Sequence, residues 1–230
     1  KLGFKAISAD ASANGLRVPE GYVASVIAPW GEPVGVPGNM PAWKPDASNS
    51  AAEQALQMGM HHDGLHYYPL DGSNRGLLAM NHEYTDDGLL FPDGTANWNA
   101  DKVKKAQAAH GIAVIEVERR GPQWEVVRPS RYAKRHTAAT PFRVAGPCAG
   151  HTLMKTAADP EGRTVLGTLN NCASGKTPWG TYLSGEENWA FYFDGGDNPT
   201  ADQKRWGLRP KGFFNWGGGD ERFDARKHPN

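Results

Sequence analysis

Cysteine is nearly absent: Cys148 and Cys172 are the only two in 230 residues. That excludes a scaffold stapled by several disulfides and leaves a single Cys148–Cys172 bridge open. An excess of either charge is also missing, since Lys+Arg and Asp+Glu both number 25. The chain therefore carries no electrostatic footprint for nucleic acid or an anionic membrane surface, and neither is expected as a partner. No apolar run approaches the ~20 residues of a spanning helix, and the mean hydropathy is -0.61. Lys1-Leu2-Gly3-Phe4-Lys5 lacks the apolar core of a secretory signal, which reads as a chain either mature or never exported. A GxSxG elbow, a Walker loop and a GxGxxG following a strand are absent, so serine-hydrolase and nucleotide-dependent readings have little support. Gly217-Gly218-Gly219-Asp220 is glycine-rich, but no helical pattern follows it.

What is abundant is punctuation. Glycine (28) and proline (17) make up about a fifth of the chain and are scattered, not periodic. Dense turn residues between short apolar runs favour an all-β protein. Eight Trp suggest aromatic faces covering sheets or lining clefts. The apolar runs predict strands at 22–27, 65–70, 76–80, 111–117, 124–127, 164–170 and 181–184, with 65–70 and 76–80 forming a hairpin. Helices are predicted at 51–60 and 101–110, the second followed by Gly111. Residues 33–50 read as a long surface loop, and 194–230 as turn-rich. The recurring hairpins, with polar residues after strand ends, read as a single β-propeller domain over residues 1–230, a partial one of several blades with a few short helices and long loops. A β-sandwich and a mixed α+β domain are the alternatives.

Four polar clusters stand out. The densest is 170–189, which gathers Cys172, adjacent Glu186 and Glu187, and three carboxamides. Carboxylate and amide oxygens suit calcium, whereas a thiolate suits iron, copper or zinc, so a mixed cluster points to more than one kind of metal. Against this, cysteine often only fills a core, and neighbouring residues on a strand point to opposite faces, so one of the two glutamates at most serves a given site. Asn81-His82-Glu83-Tyr84 ends a predicted strand, where site residues commonly sit; the plainer reading is a solvated turn. His61-His62-Asp63-Gly64, with His66 nearby, fits no standard zinc spacing, and Asp63 reads first as a turn residue, with a contribution to a metal site as the lesser alternative. Gly146 to Thr152 reads as a tight loop opening a strand, with Cys148 as packing and His151 as a structural histidine bonded to backbone, an inward-aimed His151 being the alternative.

NHEY at 81–84, GPCAGHT at 146–152 and above all NNCASGKTPWGTYLSGEENW at 170–189 resemble the PhoX family of bacterial alkaline phosphatases. The resemblance runs along nearly the whole chain. It implies a β-propeller exported to the periplasm or secreted, commonly by the twin-arginine (Tat) route, that hydrolyses phosphomonoesters at alkaline pH with calcium and ferric iron. It puts an iron ligand at Cys172 and further metal ligands at Glu83 and at Glu186 or Glu187. It names no catalytic or substrate-binding residue within these 230. Family members are considerably longer, so the chain is expected to be an N-terminal portion, a weak or dead catalyst unless a second segment completes the propeller. Two other functions stay in view: a calcium-dependent propeller lactonase or esterase, and a non-catalytic propeller module binding through Trp-rich loops.

Overall fold

The computed structural model describes residues 3–227. Its elements are short: α1 (Ala51–Gln54), β1 (His62–Asp71), β2 (Arg75–His82), α2 (Asp87–Leu90), α3 (Ala100–Ala109), β3 (Gly111–Arg120), β4 (Gln123–Val126), β5 (Lys134–His136), β6 (Thr140–Arg143), β7 (Thr164–Gly167), β8 (Asn171–Lys176), β9 (Tyr182–Glu186) and α4 (Ala201–Arg205). Strand outweighs helix. Among the described residues the strands form three antiparallel sheets, none closed into a barrel. The largest runs β1-β2-β3, and the outer edge of β3 is shared, with β4 along Val117–Arg120 and β5 along Ile112–Val114. The other two are the hairpins β6–β7 and β8–β9.

Local chemistry explains the main elements. A tight turn at Gly72, with φ of 49°, joins β1 to β2, which pair from Asp71↔Arg75 onward. The Asn99 side chain accepts the backbone N–H groups of Asp101 and Lys102 and so caps α3. Gly111 follows α3 almost at once with φ of 100°, and a Cβ there would fall on the His136 carbonyl. Only glycine lets β5 close on β3 at that point. The inner face of α3 (Val103, Ala106, Ala109) packs with Leu90, Tyr192, Trp216 and Phe223 into one core. Val34, Met58, Met80, Ala113 and Ile115 form a second core against the large sheet.

The hairpin 65–80, helix 101–110 and strand 111–117 appear where the sequence predicts them. Residues 22–27 do not form a strand: Val23 and Val26 are largely exposed, and no neighbouring strand takes up their backbone. The predicted helix 51–60 stops at Gln54, after a capping box made by Ser50 and Glu53. The stretch 171–176 looks too polar for a strand, yet it is β8, because its backbone pairs with β9. Beyond Cys148 the chain makes a 3-10 turn (Thr152–Met154), not a strand, and His151 caps it through Nδ1. Cys148 is exposed, not packed, and both cysteines are free, so the open disulfide is absent.

Candidate metal centre

Two β-bulges build the site. In the β1–β2 ladder His62 pairs with His82 and Leu65 with Met80, so Asp63 and Gly64 together oppose Asn81. In β8–β9 Asn171 pairs with Glu186 and Ser174 with Ser184, so Cys172 and Ala173 together oppose Gly185. An extra residue of this kind breaks the ladder locally and re-aims a side chain. The bulges meet because β8 packs against β1. The approach is close enough that a Cβ on Gly64 would lie 2.7 Å from the Cys172 carbonyl oxygen and 2.5 Å from Ser174 Oγ.

Their meeting gathers ligand atoms of Asp63, Glu83 and Cys172 within 4.8 Å of one another, all half-buried. Glu83 follows the end of β2, and its N–H donates to the His61 carbonyl at 3.0 Å. Glu187 follows the end of β9, with its N–H on the Asn170 carbonyl at 3.0 Å, and its carboxylate borders the thiol. Glu186 has different neighbours. Its Oε1 accepts from Thr168 Oγ1 at 2.6 Å and from the Leu169 N–H at 3.1 Å. It lines a largely apolar cavity of about 600 Å³ with Phe142, Leu169, Leu183, Trp189 and Phe193. Of the sequence-derived candidates, Cys172, Glu83 and Glu187 are brought together, and Glu186 is turned away from them.

Asp63 joins the cluster, the lesser of its two sequence readings; the turn reading is favoured there because the bulge that aims it inward leaves no mark in the hydropathy pattern. The neighbouring histidines diverge. His61 stacks on Tyr84 with ring centroids 3.9 Å apart, and His62 bonds the Ala28 carbonyl through Nε2 at 2.7 Å. Behind the site lies a buried relay. Asn170 Nδ2 donates to Tyr192 Oη at 3.2 Å, and Tyr192 Oη lies 2.9 Å from His110 Nε2. Burial holds the His110 pKa down at about 4, so the ring is neutral. Asn170 Oδ1 also accepts from the Asn188 N–H at 2.5 Å, which fixes the turn that carries Glu187.

Acidic groups crowd the thiol and one another. The Cys172 pKa is pushed up to about 12, mainly by its hydrogen bonds to Asp63 and Glu187. Glu83 is raised by burial and then by Asp63 and Glu187. Among the described residues no lysine or arginine forms an ion pair with Asp63, Glu83 or Glu187. Carboxylates and a thiol crowded together without a counter-cation fit a metal: a bound ion inverts the local balance and favours every deprotonated ligand.

No curated protein matches the chain. Among solved structures it is similar to Pseudomonas fluorescens PhoX in complex with vanadate, a transition state analogue, with 44% sequence identity and a TM-score of 0.92. The match covers 99% of this chain and 40% of that one, so the chain spans well under half the length of its structural relative. Residues 2–230 match the family described as Alkaline phosphatase PhoX. On that span and that identity, the chain belongs to the PhoX alkaline phosphatase family.

Proposed function

We propose that this chain supplies part of the metal centre of an alkaline phosphatase that hydrolyses phosphate monoesters. The observation that carries the reading is the convergence of Asp63, Glu83 and Cys172, bordered by Glu187, on two opposed bulges. The vanadate bound in the structural relative is a transition state analogue, which suits phosphoryl transfer. Asp63, Glu83 and Glu187 offer hard oxygens for calcium, and Cys172 offers the soft ligand for ferric iron. When bound, such cations stabilise the charge that spreads over the phosphoryl oxygens. The residues themselves do the holding. Without metal the proton stays on Cys172 Sγ, kept there by two carboxylates, and it would leave to solvent if a cation were held by the thiolate and those carboxylates. The bulges and the buried Asn170–Tyr192–His110 relay keep the ligands from following that charge change.

The finer expectations complete the proposal. The three sheets are successive parts of a β-propeller, a second segment of chain completes it, and the protein acts in the periplasm or outside the cell. Metal analysis of the purified chain, with p-nitrophenyl phosphate hydrolysis at alkaline pH and a chelator control, tests the reading. Iron and calcium in the wild type, with iron lost and calcium kept in Cys172→Ala, is the expected result. Calcium without iron in the wild type would replace the phosphatase reading by a calcium-dependent lactonase or esterase.

A further inference from the structure

Asn81 lies opposite the first bulge and is fully buried. Its carboxamide uses all four of its hydrogen-bonding positions. Nδ2 donates to the Cys172 carbonyl at 2.9 Å and to the Ala173 carbonyl at 3.2 Å, which are the two carbonyls of the second bulge. Oδ1 accepts from Tyr182 Oη and from Ser184 Oγ, each at 2.9 Å. Tyr182 Oη also lies 2.8 Å from the carbonyl of Gly64, in the first bulge, so its one proton is shared between the two acceptors. One side chain thus joins β2, β8 and β9 at the point where the ladders are broken and the strands cannot hold themselves in place.

A bulge frees backbone groups that need partners, and a buried carbonyl left without one costs ~1–3 kcal/mol. Here both freed carbonyls of β8 are taken up by one amide that is itself fixed by two hydroxyls. Nothing else among the described hydrogen bonds ties the Cys172 backbone to the sheet that carries Asp63 and Glu83. We propose that Asn81 is the positioning residue for Cys172: by clamping the carbonyls of the β8 bulge to the strand facing the β1 bulge, it sets the thiol against Asp63 and Glu83. Asn81 does not touch the metal position. It acts through Cys172, so its removal disturbs the soft ligand more than the hard ones.

The consequence for metal binding rests on the function proposed above; the placement of the thiol does not. The test therefore has two arms. Asn81→Asp keeps the acceptor for Tyr182 and Ser184 but turns an oxygen toward two carbonyl oxygens. In the metal-free chain, in a Cys148→Ser background, 4,4′-dithiodipyridine reports the thiol. The rate at Cys172 is expected to rise at least fivefold in Asn81→Asp, as the sulfur leaves its carboxylate neighbours. Tyr182→Phe, which loosens the clamp without placing a charge in it, is expected to raise the rate about twofold and covers the case in which Asn81→Asp fails to fold. An unchanged rate in every folded variant overturns the assignment. In the second arm, ferric citrate and calcium chloride are supplied separately. Asn81→Asp is expected to bind iron at least tenfold more weakly, with a weakened iron–thiolate absorption band, and calcium within threefold of the wild type. Equal loss of both metals would mark Asn81 as a general structural residue and overturn its specific role. A wild type with no iron–thiolate band would overturn the metal reading, while the thiol arm still decides the placement.

Discussion

Removing the charge of Asp63 is the sharpest probe of the cluster, because that carboxylate is the leading cause of the raised Cys172 pKa. With a pKa of about 12, the thiol is almost wholly protonated near neutrality. At about pH 8 the thiolate fraction is then ~10⁻⁴, against ~0.2 for a free cysteine of pKa ~8.5. A more basic thiolate is the better nucleophile, and with a Brønsted slope of ~0.4–0.5 this returns a factor of roughly 25–55. The net expectation is that Cys172 reacts with an aromatic disulfide roughly 50- to 100-fold more slowly than free cysteine. In Asp63→Asn the negative neighbour is gone while Glu187 remains, so the titration midpoint falls by ~1–2 pH units. The rate at about pH 8 rises roughly three- to fifteenfold after the loss of nucleophilicity is counted. The assay is the pH–rate profile with 4,4′-dithiodipyridine, with Cys148 replaced by serine so that one thiol is read. A wild-type rate within about threefold of free cysteine, or a profile that Asp63→Asn leaves in place, would refute the cluster's electrostatics.

Two further outcomes follow from groups beside the site. Burial raises the pKa of Asp87 to about 6 despite the Thr85 hydroxyl; because the folded state holds this proton more tightly, its stabilising effect is lost as pH rises through about 6. Asp87→Asn should therefore gain ~1–2 kcal/mol at about pH 8, after allowance for partial solvent screening, and nothing below about pH 4, as read by chemical denaturation at both values. Gly64→Ala places a methyl group 2.5 Å from Ser174 Oγ and 2.7 Å from the Cys172 carbonyl oxygen; it should cost ~1–3 kcal/mol in the same denaturation experiment and weaken iron binding, and wild-type values in both would contradict the close approach of β8 to β1.

The legible parts of the fold are those whose signals are local. The β1–β2 hairpin, α3 and β3 carry apolar runs, a cap and a glycine stop within their own sequences, and each appears near its expected limits. β8 is not legible, because Asn171 to Lys176 becomes a strand only through pairing with β9 and packing on β1, at a distance no local pattern records. Residues 22–27 show the reverse: a good strand pattern with no partner stays irregular and exposed. The site divides in the same way. Cys172, Glu83 and Glu187 were reachable from residue type and from the family motifs. Asp63 and Asn81 depend on the offset between two strands, which only the register reveals. The choice between Glu186 and Glu187 follows from alternation along β9, but which parity faces the thiol is fixed by the tertiary contacts of Thr168 and Leu169.

The two bulges mean that this centre is written partly in the counting of residues. Each ladder holds one more residue on one side than on the other, and side chains alternate faces at every step. Deleting Gly64 or Ala173 would restore regular pairing and remove no proposed ligand, yet it would take away the extra residue that re-aims Asp63 or Cys172. A relative could then keep every acid and the thiol in an aligned column and still have no centre. In this chain, the spacing from His62 to Leu65 and from Asn171 to Ser174 shapes the cluster as much as the identity of the side chains between them.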